Sequence, residues 1–218
     1  EELRDNIGLF ATLGMPEDTN ALNEGALDEE AFLKFCNSVM DERERMLFYE
    51  LKQFDKGIFA CVFDTTDRIQ HMFWRLIDTT HPMYDEQLSK KYGSVINDYY
   101  KRIDRIIGDV MARISSDTLL MICSDHGFSS FKKVVHLNTW LIANGFMKLK
   151  DGQSSCSGLF DNVDWNNTKA YALGLNSIYL NIKGRVGMGI VVRDEASKVK
   201  HYLNMLLKQL TDNGKMVI

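Results

Sequence analysis

Apolar positions along the chain follow two kinds of spacing. Phe32, Phe35, Val39, Met46, Leu47 and Leu51 recur near helical period and predict a long amphipathic helix ending at about Gln53. Asp28 stands where its cap belongs, with Glu29 and Glu30 favourable in the first turn. Ahead of it the chain is rich in breakers: Gly8, Gly14, Pro16, Asn23 and Gly25. After Gly57, Ile58 to Phe63 is a continuous apolar run of strand length, the pattern of a strand buried on both faces. A short helix is expected over Asp67 to Ile77, interrupted by Thr80-His81-Pro82. Leu88, Tyr92, Val95, Tyr99, Ile103, Ile106, Val110 and Ile114 then keep a 3-or-4 spacing over about seven turns. Thr118 to Cys123 reads as a second buried strand. Strand, helix, strand at this separation implies a right-handed βαβ unit in a parallel sheet.

Further on, Asn138 is placed to cap a short helix carrying Trp140, Leu141 and Ile142, which Asn144-Gly145 stops. Asp151 to Ser157 is expected as a mobile loop and Ser177 to Ile182 as a strand. Val199, Tyr202, Leu203, Leu206, Leu207 and Leu210 mark a last amphipathic helix, and Val217-Ile218 reads as the start of another strand.

Composition narrows the class. The 218 residues are 45% hydrophobic and 26% charged, enough apolar content for a substantial core. Lys and Arg number 26 against 30 Asp and Glu, with no basic run longer than a pair such as Lys132-Lys133, which argues against a nucleic-acid binder. The longest apolar runs have about a third of the length that a membrane-spanning helix needs. Cys36, Cys61, Cys123 and Cys156 form no C-x-x-C pair; Cys61 and Cys123 are expected as buried, unpaired thiols, consistent with a reducing, cytoplasmic-type compartment. The chain opens on Glu1 without a signal-like segment and is read as cut from within a longer protein.

Both expected strands end in acid and imidazole. Phe63 runs into Asp64-Thr65-Thr66-Asp67-Arg68-Ile69-Gln70-His71, and Cys123 into Ser124-Asp125-His126-Gly127-Phe128. Ligand sites of open α/β sheets lie at the carboxyl ends of strands, so the two pairs are placed to share one cleft. Asp67 and His71, four apart, share a helix face. Mixed carboxylate and imidazole ligands suit zinc or manganese better than calcium. Taken singly, D-x-x-x-H also serves as a surface ion pair and S-D-H-G as an Asx-turn; their joint occurrence favours a site. Ser124-Asp125-His126 is no catalytic triad, because contiguous residues cannot line up nucleophile, base and orienter.

Thr66 to Trp74 (TDRIQHMFW) followed by Ser124 to Phe128 (SDHGF) resembles the type I phosphodiesterase/nucleotide pyrophosphatase branch of the alkaline phosphatase superfamily. Val135 to Leu141, Lys169 to Gly174 and Asn181 to Arg185 look like the same branch, so the resemblance covers about Gly57 to Arg185. It implies an alkaline phosphatase-like α/β sandwich with a mainly parallel sheet flanked by helices, of which residues 1–218 are part of one catalytic domain. It also implies two divalent metal ions, usually zinc with manganese as the other choice, clamping a phosphoryl group. Asp67 and His71 match ligands of the first metal, Asp125 and His126 ligands of the second. The family's N-terminal metal-binding Asp, its Thr or Ser nucleophile and a late Gly-x-His ligand have no counterpart in this sequence. The chain alone is therefore expected to be nearly inactive. His136 is a candidate to line the cleft, and Asp64 to replace Asp67 or to cap the helix. Arg68 and Arg185 are expected as solvated or ion-paired side chains, or as phosphate contacts. His81 and His201, and the aromatics Phe73, Trp74, Tyr99 and Tyr100, are expected to be structural.

The implied activity is two-metal hydrolysis of a small phosphoester or nucleotide substrate. The alternatives are a phosphomonoesterase, phosphonate hydrolase or phosphomutase of the same superfamily, and a catalytically dead binding domain.

Overall fold

The computed structural model describes residues 2–12, 16–153 and 158–217. The chain divides into two compact units, Glu1–Lys132 and Lys133–Ile218.

The first unit is helical: α1 (Glu2–Ile7), α2 (Thr19–Asn23), α3 (Glu29–Gln53), α4 (Thr65–Phe73), α5 (Glu86–Tyr92) and α6 (Val95–Met111). Helix α3 begins as the sequence predicts, with the Ala31 amide donating to Asp28 Oδ1 at 2.7 Å. It buries Phe32, Cys36, Val39, Met40 and Leu47. Helix α4 runs into a single 3-10 turn at Trp74–Leu76. Ile69, Phe73 and Leu76 close over Phe32 and Met40, while Tyr92, Val95, Tyr99 and Ile106 complete the core. The expected seven-turn helix is two helices. Gly93 and Ser94 break it: glycine disfavours helix interiors, and the Ser94 hydroxyl turns to Asp98 Oδ2 at 2.8 Å. Tyr92 and Val95 stay buried across the break, which is why the apolar spacing runs on without a gap.

Neither expected strand forms, and the parallel βαβ unit is absent among the described residues. Along 58–63, Phe59 and Phe63 lean on the helical core, but Ile58 is 96% exposed and Val62 is exposed too. Leu119, Met121 and Ile122 are likewise in solvent, Leu119 at 84%. A strand acquires its hydrogen bonds from a neighbour, and neither run has a ladder partner among the described residues. Cys61 and Cys123 lie in these runs and are exposed thiols, contrary to expectation; Cys36 in α3 is the buried one. Cys156 lies outside the described residues.

The second unit contains α7 (Leu137–Ala143), β1 (Ala170–Leu173), β2 (Ser177–Leu180), α8 (Arg193–Leu207), β3 (Thr211–Asp212) and β4 (Lys215–Met216). β1 and β2 form an antiparallel hairpin, with Leu173 opposite Ser177 and Ala170 opposite Leu180. β3 and β4 form a second hairpin across Asn213-Gly214, both left-handed (φ 50° and 78°), as a two-residue hairpin turn requires. The strand expected to start at Val217-Ile218 is not this one: β4 ends at Met216, Val217 is outside any strand, and Ile218 lies outside the described residues. Leu141, Phe146, Met147, Leu149, Val163, Ala170 and Leu203 form the core. Asn138 does not cap α7. Its side chain clamps the β1 edge, accepting from the Ala172 amide (2.7 Å) and donating to the Ala172 carbonyl (3.0 Å), and His136 occupies the cap position without a side-chain bond. Asn144 and Gly145 (φ 71°) end the helix as expected. Of the loop expected over 151–157, residues 154–157 lie outside the described residues, and 151–153 enter it as a turn.

Candidate functional site

Helix α4 begins at Thr65 and carries Asp67 in its first turn and His71 one turn later, on the same face. The Asp67 carboxylate is divided. One oxygen, Oδ2, is held by the Arg68 guanidinium. The other, Oδ1, is buried and has no hydrogen-bond partner. Facing that free oxygen are His71 Nε2 at 3.3 Å and His126 Nε2 at 3.6 Å. The two motifs, 55 residues apart between His71 and His126, therefore meet at a single atom.

His126 is prepared by its own loop. Its amide donates to Asp125 Oδ1 (3.1 Å), and its carbonyl accepts from the Ser124 hydroxyl at 2.5 Å. Its Nδ1 lies 3.1 Å from the Gly127 carbonyl, which can only accept, so this contact is made by an Nδ1 proton and leaves Nε2 on the side of Asp67. Asp125 stands at the rim. Its Oδ2 is 3.7 Å from His126 Nε2, and 89% of its side chain is exposed.

Phe128 sets the ring planes. It meets His71 edge-on (4.8 Å between centroids), tilts against His126 (5.5 Å) and stacks on Trp74 (5.9 Å). The segment beyond it is tied down. His81 Nε2 donates to the Phe131 carbonyl (2.9 Å) while Nδ1 accepts from the Met83 amide (3.0 Å), and Lys132 Nζ pairs with Asp78 Oδ2 at 2.8 Å and reaches the Thr80 hydroxyl. The Lys132 ammonium, with help from Thr80, holds the Asp78 carboxyl well below the usual carboxylate range. His81 is structural, as the sequence reading held.

Asp64 does not act as a cap. It has helical backbone angles and makes no side-chain cap bond, and its buried Oδ1 lacks a partner. His136 is in the other unit, exposed at the start of α7. Arg68 is ion-paired to Asp67, and Arg185 Nη2 donates to the Leu180 carbonyl at 2.5 Å, so both have internal partners. Phe73 and Tyr99 are core residues; Tyr100 is exposed, its hydroxyl 3.1 Å from Gln70 Oε1. Sequence reasoning quoted Phe128 in a motif but missed its role as a buttress. It missed Glu17 altogether, a buried acid bonded to Thr65, because nothing in a breaker-rich segment announces a long-range contact.

The donors suit a divalent cation. Ligands on a tetrahedral ion with bonds of about 2.0 Å stand about 3.3 Å from one another, close to the Asp67–His71 separation. Among the described residues, however, no three His, Cys, Asp or Glu side chains are arranged so that they could hold a metal ion.

The family model for type I phosphodiesterase/nucleotide pyrophosphatase matches residues 23–217, and the chain belongs to that family. The family has the alkaline phosphatase-like α/β fold and acts generally on phosphoester bonds. No curated protein and no solved structure matches the chain significantly.

Proposed function

We propose that Asp67, His71, Asp125 and His126 are metal ligands of a phosphodiesterase or nucleotide pyrophosphatase centre that cleaves phosphoester or phosphoanhydride bonds of a small substrate. The observation that carries this reading is the free, buried Oδ1 of Asp67 facing two imidazole Nε2 atoms. A buried carboxylate oxygen without a hydrogen bond is costly, and a bound cation would remove that cost. Asp67 and His71 would hold one ion, Asp125 and His126 the second, with zinc or manganese matching the donor set.

Bound divalent ions in such a pair activate a hydroxyl nucleophile and neutralise charge on the phosphoryl and leaving oxygens. The chain's own residues supply the setting. Asp67 brings negative charge from a helix anchored in the core, and the Gly127 carbonyl anchors the His126 ring through Nδ1. Phe128 limits the rotation of both rings, and Arg68 keeps the second Asp67 oxygen compensated.

The test is cobalt(II) and zinc titration of the full-length protein beside Asp67→Asn and His126→Ala, followed by turnover of a chromogenic phosphodiester and a phosphomonoester. Each substitution is expected to lower metal affinity at least tenfold and abolish most turnover with the circular dichroism spectrum unchanged. Wild-type metal binding by both variants would refute the ligand assignment. Metal binding with no hydrolysis of either ester would favour a binding domain over an enzyme.

A further inference from the structure

We propose that Glu17 is a positioning residue for the metal-binding helix: through Thr65 its carboxylate fixes the first turn of α4, and with it the place where Asp67 presents its free oxygen. The inference rests on the metal-centre reading above and extends it to a residue outside both motifs.

Glu17 is only 3% exposed, a rare situation for a glutamate. Its Oε1 accepts from the Thr65 hydroxyl at 2.7 Å, and its Oε2 is buried without a hydrogen bond. Thr65 is fully buried, is the first residue of α4, and stands two positions before Asp67. The bond joins segments 48 residues apart, so it is tertiary positioning and not a local turn. The helix needs such support, because Asp64, at its cap position, makes no cap bond. A carboxylate at the start of a helix also meets the positive end of the helix dipole.

Glu17 is itself anchored. It immediately precedes Asp18, whose side chain accepts from the Ala21 amide at 2.9 Å and caps α2. On its other side lies the α3–α6 core, where burial first, and the Glu17 charge second, push the Cys36 thiol up to about 12. For packing alone, an apolar residue would fill this space without an orphaned oxygen. The carboxylate is retained at a cost, which points to a task. Displacing a reactive group by about 1 Å can cost about a hundredfold in rate, so the placement of α4 matters.

The experiment compares full-length wild type with Glu17→Ala, Glu17→Gln, Thr65→Val and Thr65→Ser by cobalt(II) titration, the cobalt absorption spectrum and thermal melting. Glu17→Gln and Thr65→Ser keep an acceptor and a donor, so they are expected to retain the wild-type cobalt spectrum and an affinity within about twofold. Glu17→Ala and Thr65→Val are expected to weaken cobalt binding about tenfold and alter the band intensities that report coordination geometry. If those two merely melt earlier while binding cobalt with the wild-type spectrum, Glu17 is structural and the inference fails. Should Glu17→Ala not fold, the Thr65→Val and Thr65→Ser pair decides alone. Wild type that binds no cobalt would overturn the metal-centre reading, and this inference with it.

Discussion

Asn181 holds a loop by one amide group. Buried at 1% exposure, its Nδ2 donates to the carbonyls of Trp165 (3.2 Å), Thr168 (2.8 Å) and Met188 (3.0 Å). Asn181→Ala would leave three carbonyls in want of a donor, at a cost of about 2–4 kcal/mol. Urea unfolding of the variant measures it, and a loss under about 0.5 kcal/mol would show that water replaces the amide. At this scale the sequence was partly legible. Asp67 and His71 share a face because a helix places residues four apart together, a local fact. That Asn138 clamps β1 and Glu17 meets Thr65 depends on which chain segment arrives opposite, and no local pattern encodes that.

Elements followed the sequence where their bonds are internal. Helix α3 has the expected cap and end, since a helix satisfies its own backbone and needs only an apolar stripe to dock. The two apolar runs did not become strands, because strand hydrogen bonds belong to a partner. Close packing of backbone against backbone is equally invisible in sequence. A Cβ at Gly189 would stand 2.1 Å from the Ile182 carbonyl oxygen and 2.7 Å from the Lys183 nitrogen. Gly189→Ala is therefore expected to destabilise the second unit by about 1–3 kcal/mol, although alanine restricts the unfolded chain more than glycine does. Thermal melting decides: an unchanged or raised Tm would mean that the 183–191 turn moves aside freely.

For the whole chain, two separate cores carry stability, one around Phe32, Phe73 and Tyr99 and one around Leu141, Phe146 and Val163. Among the described residues no helix is long and apolar enough to cross a membrane. Acid should act on the first unit through two depressed carboxylates. Lys91, with Lys34, lowers Glu30 to about 2 and links α5 to α3, while Lys132 lowers Asp78 and ties residues 130–132 to the turn before α5. Both groups titrate lower folded than unfolded, so their contribution is complete above about pH 4.5 and fades as pH falls toward 2. Hydrogen exchange across that range should show protection lost around 78–84 and 128–132, and the exposed Glu30 part weakened by salt. Asp78→Asn should abolish the acid response of the clamp; an unchanged response would place its cause elsewhere.

By itself the sequence determined the long helix α3 with its Asp28 cap, the helical character of the later apolar stripes, and the family: periodic stripes and contiguous motifs are properties of neighbouring residues. It also determined which four side chains, Asp67, His71, Asp125 and His126, are the candidates for chemistry. Only the tertiary structure decided that three of them gather at one carboxylate oxygen while Asp125 stays at the rim, that Phe128 braces both rings, and that Glu17 is buried against α4. The physical reason is the range of the forces involved. Helix formation is settled within a few residues, whereas strand pairing, buried polar contacts and the meeting of two distant motifs depend on chain segments that approach only in the folded molecule.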